Sequence, residues 1–213
     1  MSAPENPQIY LILPPEIDPE SFPNALARVL EAAPVACLRL ALATTDEARI
    51  IRTADAIRAV AHERDIPLVL DNHFLLAGRL GLDGVHLTDG ARRVRKARAE
   101  LGSDAIVGAF CGTSRHAGLT AGEAGADYVA FGPVGQTALG DGESADRDLF
   151  AWWSEMIEIP VVAEGALDRD MLHALAPVTD FIALGPEIWE APDPAQALAE
   201  MAELAGVAGS VTG

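Results

Sequence analysis

Residues 71–90 read DNHFLLAGRLGLDGVHLTDG, and Asp71, Asn72, His73, His86, Thr88 and Asp89 among them carry groups able to hold a cation or move a proton. One apolar run, PLVL (67–70), ends at the first polar cluster, and a second, GVHL (84–87), ends at the next. Side chains of these types suit two chemistries. Carboxylates and carboxamides bind a hard cation such as Mg2+ through oxygen, and an imidazole passes protons near neutrality. Either use requires the two strand ends to lie side by side.

That requirement is met if the strands belong to one parallel sheet. Eight apolar runs of strand length occur: IYLIL (9–13), VACLRLAL (35–42), PLVL (67–70), GVHL (84–87), AIVGAF (105–110), YVAFGPV (128–134), PVVAEG (160–165) and FIALG (181–185). Segments of helical period alternate with them, from ESFPNALARVLEAA to DPAQALAEMAELAG. Strands apolar on both faces belong to parallel sheets covered by helices. Eight such units predict a (β/α)8 TIM barrel, compact beside the roughly 250 residues usual for that fold. An open doubly wound sheet would need a glycine-rich turn after its first strand, where this chain has PPEIDPE. The expectation is a single barrel domain over residues 1–213, with 1–7 and 208–213 as flexible tails.

Such a barrel builds its site at the C-terminal ends of its strands, and this selects the remaining candidates. Arg39 lies within strand two, and Cys111, Thr113, Ser114, Arg115 and His116 follow strand five. Gln136 and Thr137 follow strand six, Glu164, Gly165 and Ala166 close strand seven, and Gly185 closes strand eight. A buried guanidinium needs an anion, so Arg39 faces either a structural carboxylate or a ligand. His86 reads equally well as a satisfied core histidine. Asp71, Asn72 and His73 are also fit to cap the next helix, as are Thr113 and Ser114. Arg92, Arg93, Arg95, Lys96 and Arg98 read as a solvated helix face, and Trp152 and Trp153 as packing. Glycines ending strands seven and eight, in AEGALDRD and ALGPEIW, fit a phosphate cradle of backbone N–H groups. Glu164 opposes that use if it points into the same pocket. The polar connection GQTALGDGESADRD (135–148) reads as a lid or as a plain insertion.

Composition narrows the partners. A formal charge of −17 disfavours nucleic acid and anionic membranes. No run of about eighteen apolar residues suggests a membrane span, and MSAPENPQ lacks a signal-peptide pattern, so a cytoplasmic protein is expected. Cys37 and Cys111 then read as buried thiols, not as a disulfide. Lys96 is the sole lysine, and arginine cannot serve as a Schiff-base amine. Assembly into a homo-oligomer is compatible with all of this.

Taken together, the segments resemble the thiamine phosphate synthase family, which includes the TenI-type thiazole tautomerases. IYLIL is similar to the opening L-Y-L-V-T, and DNHFLLAGRLGLDGVHLTDG to N-D-R-x-x-x-A…A-D-G-V-H-L-G-Q-x-D. AGADYVAFGPVGQT resembles G-A-D-Y-x-x-x-G-P-x-x-x-T, and IPVVAEGAL resembles I-P-V-x-A-I-G-G-I. The resemblance implies an enzyme joining an aminopyrimidine pyrophosphate to a thiazole phosphate through a pyrimidine cation, with Mg2+ neutralising the leaving pyrophosphate. Arg39, His73, His86, Cys111 and His116 are the candidate catalytic residues. Asn72, Thr113, Gln136, Thr137, Glu164, Gly165, Ala166 and Gly185 are candidate substrate or phosphate contacts, and Asp71 and Asp89 candidate metal ligands.

The departures from the family pattern fall on its motif positions. Its Q-x-R-x-K appears as CLRLA, with Cys37 and Ala41 in place of Gln and Lys. In N-D-R, Asn72 and His73 stand where Asp and Arg would be, and the later aspartate falls at Ala91. The T-x-T-K stretch is reduced to Thr137–Gly140, and the second glycine of the phosphate loop is Ala166. Two or three lost charge-assisted contacts, each worth roughly 1.5–3 kcal/mol, predict a weakened or altered synthase that uses Mg2+ if the reaction is kept. One alternative is a metal-independent thiazole phosphate isomerase without cofactor, with His116, His73 or His86 as its base. The other is a non-catalytic binder of thiamine-pathway phosphates. In every case the partner is a small phosphorylated heterocycle.

Overall fold

The computed structural model describes residues 6–136 and 142–207. Thr137, the centre of the long connection and both extreme tails lie outside the described residues. Strands and helices alternate as β1 (Gln8–Ile12), α1 (Phe22–Leu30), β2 (Cys37–Leu40), α2 (Glu47–His62), β3 (Leu68–Asp71), α3 (Phe74–Leu80) and β4 (Gly84–Leu87). A 3-10 turn, Gly90–Arg93, leads into α4 (Val94–Leu101), followed by β5 (Ile106–Phe110), α5 (Arg115–Glu123), β6 (Tyr128–Phe131) and α6 (Arg147–Met156). Then come β7 (Val161–Glu164), α7 (Arg169–Leu175), β8 (Phe181–Leu184), the short α8 (Pro186–Trp189) and α9 (Pro194–Leu204).

The eight strands close into one parallel barrel in sequence order, with β8 returning to β1. Each predicted strand is present: β4 has the expected bounds, β1 and β3 are shifted by one residue, and the others are shorter than expected. β6 stops at Phe131 instead of running to Val134 because Pro133 has no N–H to give the ladder. The helices start where side chains capture free amides: Asp46, Ser114, Asp146, Asp168 and Asp193 each accept from a first-turn N–H. Each such cap contributes about 0.5–2 kcal/mol. Asn6, read from sequence as tail, donates to the Gly206 carbonyl at 2.5 Å and ties the chain start to the end of α9.

Side chains alternate along each strand, which splits the interior in two. Outward residues such as Leu38, Leu40, Val85 and Leu87 pack against the helices. Tyr10, Cys37, Val69, Tyr128, Ala130, Val162 and Ala183 fill the barrel itself. Arg39 shares the inward phase of Cys37, and His86 that of Gly84, so the polar groups enter the barrel because their strands are read in steps of two. Trp153 is fully buried and meets Phe131 edge-on at 5.0 Å, the packing role expected of it.

Candidate active site at the strand ends

Arg39 is the hub of the mouth. Only 5 % exposed, it donates through Nε to Asp71 Oδ1 at 2.6 Å and through Nη2 to Asp71 Oδ2 at 3.1 Å. Its Nη1 donates to both oxygens of Glu164 at 2.9 Å. The anion that the sequence required for Arg39 is thus a pair of carboxylates from β3 and β7. Burial lifts the Glu164 carboxyl above its usual range, and Arg39 opposes that rise without cancelling it. Two acids around one guanidinium give the buried cluster one more carboxylate than it has cations.

His86 lies beside this cluster, its strand position paired with Asp71 on one side and Gly108 on the other. It is 1 % exposed, and its Nδ1 lies 2.8 Å from Tyr128 Oη. Tyr128 Oη in turn lies 2.7 Å from Tyr10 Oη. Burial holds both phenols well above their ordinary pKa, so each keeps one hydrogen to donate. Burial first, and Arg39 second, hold His86 well below the ordinary histidine value, so the ring is neutral. If Tyr10 donates to Tyr128 and Tyr128 to Nδ1, the one group of this relay left open is Nε2, which has no partner. The reverse order would strand the Tyr10 hydrogen as well. The chain therefore sets the Nε2–H tautomer and leaves His86 one donor for a ligand.

Two measurements check this. In the 15N spectrum at neutral pH, Nε2 is expected in the protonated range and Nδ1 in the unprotonated one; the opposite pattern would reject the relay. Because the folded pKa is depressed, the unfolded chain takes up the proton first. Stability is then complete above about pH 6.5 and falls as pH drops below it, by about 1.4 kcal/mol per unit until the folded pKa is reached. His86→Gln should flatten that slope in urea titrations.

The expected capping by residues 71–73 is replaced by other contacts. Asp71 is taken by Arg39. Asn72, at φ 62°, adopts the left-handed backbone that asparagine tolerates. Its Oδ1 accepts from Thr88 N at 3.1 Å, Thr88 Oγ1 at 3.0 Å and Arg93 Nη2 at 2.6 Å. Asp89 Oδ2 accepts from Arg93 Nε at 2.7 Å, while the buried Asp89 Oδ1 has no partner. Arg93 was expected on a solvated face, and the 3-10 turn instead folds it back onto Asp89 and Asn72. Arg98 likewise turns inward, binding the Gly125 and Ala105 carbonyls and Asp127.

Mg2+ does not fit these donors as they stand. Both Asp71 oxygens belong to Arg39, Asn72 is saturated, and a guanidinium already lies on Asp89. Among the described residues no group of three or more His, Cys, Asp or Glu side chains is arranged to hold a metal ion.

The loops expected to cradle a phosphate have contacts of their own. Gly165 and Ala166 follow β7 with φ 97° and 54°, so the alanine keeps a left-handed turn at a cost of about 1–2 kcal/mol. The Leu167 and Gly185 amides, however, donate at 3.0 and 2.9 Å to the two oxygens of Glu187 in α8. An internal carboxylate sits where backbone N–H groups were expected to await a phosphate.

The remaining candidates do not gather at the hub. His73 and His116 are exposed at the starts of α3 and α5, and Gln136 is exposed. Cys111 and Thr113 line a cleft of about 400 Å3 with Thr88 and Gly90. Cys37 and Cys111 are free thiols, each pushed up to about 12 by burial, which keeps Cys111 from acting as a thiolate. A cavity of about 950 Å3 adjoins the mouth at Ile12, Ala41 and Gly185 and runs out past Phe22 and Trp189. Tyr10, Tyr128, Arg93 and Glu187 were missed in the sequence. Only the tyrosines carried a signal, since both stand in the inward phase of their strands.

No helix among the described residues is long and apolar enough to cross a membrane. Residues 9–188 match the family model described as thiamine monophosphate synthase. The chain is 39 % identical over 196 residues to the thiamine-phosphate synthase of Rhodospirillum centenum, covering 91 % of this chain and 95 % of that protein. It is 37 % identical over 201 residues to that of Erythrobacter litoralis, covering 91 % and 94 %. Its fold is similar to a solved thiamine phosphate pyrophosphorylase from Pyrococcus furiosus, with TM-score 0.81, 23 % identity and coverage of 93 % and 95 %. The chain belongs to the thiamine monophosphate synthase and TenI family.

Proposed function

We propose that the chain couples an aminopyrimidine pyrophosphate to a thiazole phosphate, releasing pyrophosphate. The observation that carries this is the charge of the buried mouth, where Asp71 and Glu164 share the single guanidinium of Arg39. Preorganised negative charge in a site shielded from water stabilises a developing cation. In the reaction the carbon–oxygen bond to pyrophosphate breaks heterolytically and the leaving group keeps the electron pair. The thiazole nitrogen lone pair then forms the bond to the pyrimidine methylene carbon, and no proton has to move. His86 Nε2–H donates to a ring acceptor of the pyrimidine, and Arg39 holds the two acids in place. The likeness to relatives named thiamine-phosphate synthase supports the same reading. Turnover is reduced in this proposal because Ala41 supplies no charge to the pyrophosphate.

The test is to incubate pure protein with both substrates, with and without Mg2+, and to follow thiamine phosphate by mass spectrometry. Product in step with released pyrophosphate is expected. No product under either condition would sink the proposal. His86→Gln should lower kcat/KM by about tenfold, the worth of one buried hydrogen bond.

A further inference from the structure

We infer that Arg93 takes the place of the divalent metal, as a built-in cation that receives the pyrophosphate group. The inference rests on the coupling reading and deepens it. The loops after β3 and β4 bring Asn72 and Asp89 together, and the Arg93 guanidinium spans them, with Nη1 also 3.3 Å from the Asn72 carbonyl. A dication takes free oxygen ligands, one or two of them carboxylates, but Asn72 is neutral and its Oδ1 already accepts three donors, and Asp89 Oδ2 is held by Arg93. The pair therefore carries one negative charge, which one guanidinium balances. Each terminal nitrogen of Arg93 has a second N–H, and paired N–H groups of this kind match phosphate oxygens. The Arg93 side chain stays about one-third exposed while all three of its nitrogens are engaged.

The experiment titrates inorganic pyrophosphate into the full chain by calorimetry, in EDTA and in Mg2+. Wild type is expected to bind in EDTA within about threefold of its affinity in Mg2+, a difference below 1 kcal/mol. Arg93→Met should weaken binding in EDTA by about ten- to a hundredfold, the size of one or two charge-assisted bonds. Arg93→Lys, which keeps a cation, should fall between the two. Asn72→Asp combined with Arg93→Met restores a pair of carboxylates and should bind pyrophosphate only with Mg2+. Thermal unfolding checks that each variant is folded, and the Thr88 donors that now meet Asn72 Oδ1 can equally meet an aspartate there. Wild-type binding seen only with Mg2+, binding seen in neither condition, or Arg93→Met binding unchanged in EDTA overturns the inference. The two readings fail separately. Metal-free pyrophosphate binding without coupled product removes only the coupling, and strictly Mg2+-dependent product and binding remove only this inference.

Discussion

Replacing Arg39 by methionine should destabilise the barrel by about 3–5 kcal/mol, the range for breaking a buried ion pair from one side. For a chain of this size that corresponds to a fall in Tm of roughly 6–20 °C. The cause is less the lost attraction than what remains: Asp71 and Glu164, both tied to Arg39, would face each other inside the barrel without a cation. Without Arg39, which pulls it down, the Glu164 carboxyl would rise further above its usual range. A raised acid is stabilising at low pH, and that contribution disappears as pH rises through its folded value. The deficit of Arg39→Met should therefore be largest near neutrality and shrink towards acid pH. Adding Glu164→Gln should recover part of it. A methionine variant that melts with wild type at neutral pH would mean that the three side chains do not form this cluster.

The second large effect belongs to a residue without a side chain. Tyr128 lies across Gly108, and a Cβ at that position would overlap the phenol ring. Gly108→Ala should cost about 1–3 kcal/mol through overpacking of a rigid interior. It should also move Tyr128 off His86, whose Nδ1 depends on that hydroxyl. In denaturant titration the midpoint should fall with m unchanged, and the 15N pattern of His86 should shift towards a mixture of tautomers. Wild-type stability with an undisturbed His86 would show that the ring has room the geometry denies it. Tyr128→Phe separates the two contributions, because it keeps the ring and removes only the hydroxyl.

The barrel was legible because its signal is redundant. Strands such as YVAF and GVHL are apolar on both faces, and eight of them alternating with helices favour a closed barrel over an open sheet. Arg39 and His86 were legible for a related reason: a charged or basic group inside an apolar strand has to face something. What they face was not, because partners 125 residues apart, such as Arg39 and Glu164, meet only when the barrel closes. Arg93 was misread because a helical wheel assumes the α-helical period from the first residue, and the 3-10 turn over Gly90–Arg93 changes the phase. Tyr10 and Tyr128 looked like ordinary strand aromatics, since their sequence neighbours do not show that two hydroxyls and an imidazole will line up. Glu187 sits in PEIW, a stretch read only as a helix start, and its contacts to the two loop amides have no local signature.

Glu187 has a consequence for how any ligand reaches the β7–β8 end of the mouth. Because its carboxylate already satisfies the Leu167 and Gly185 amides, that corner behaves as an ion exchanger and not as an empty socket. An incoming anion gains only the difference between its own grip and the one it displaces, while a neutral guest can enter beside the glutamate without evicting it.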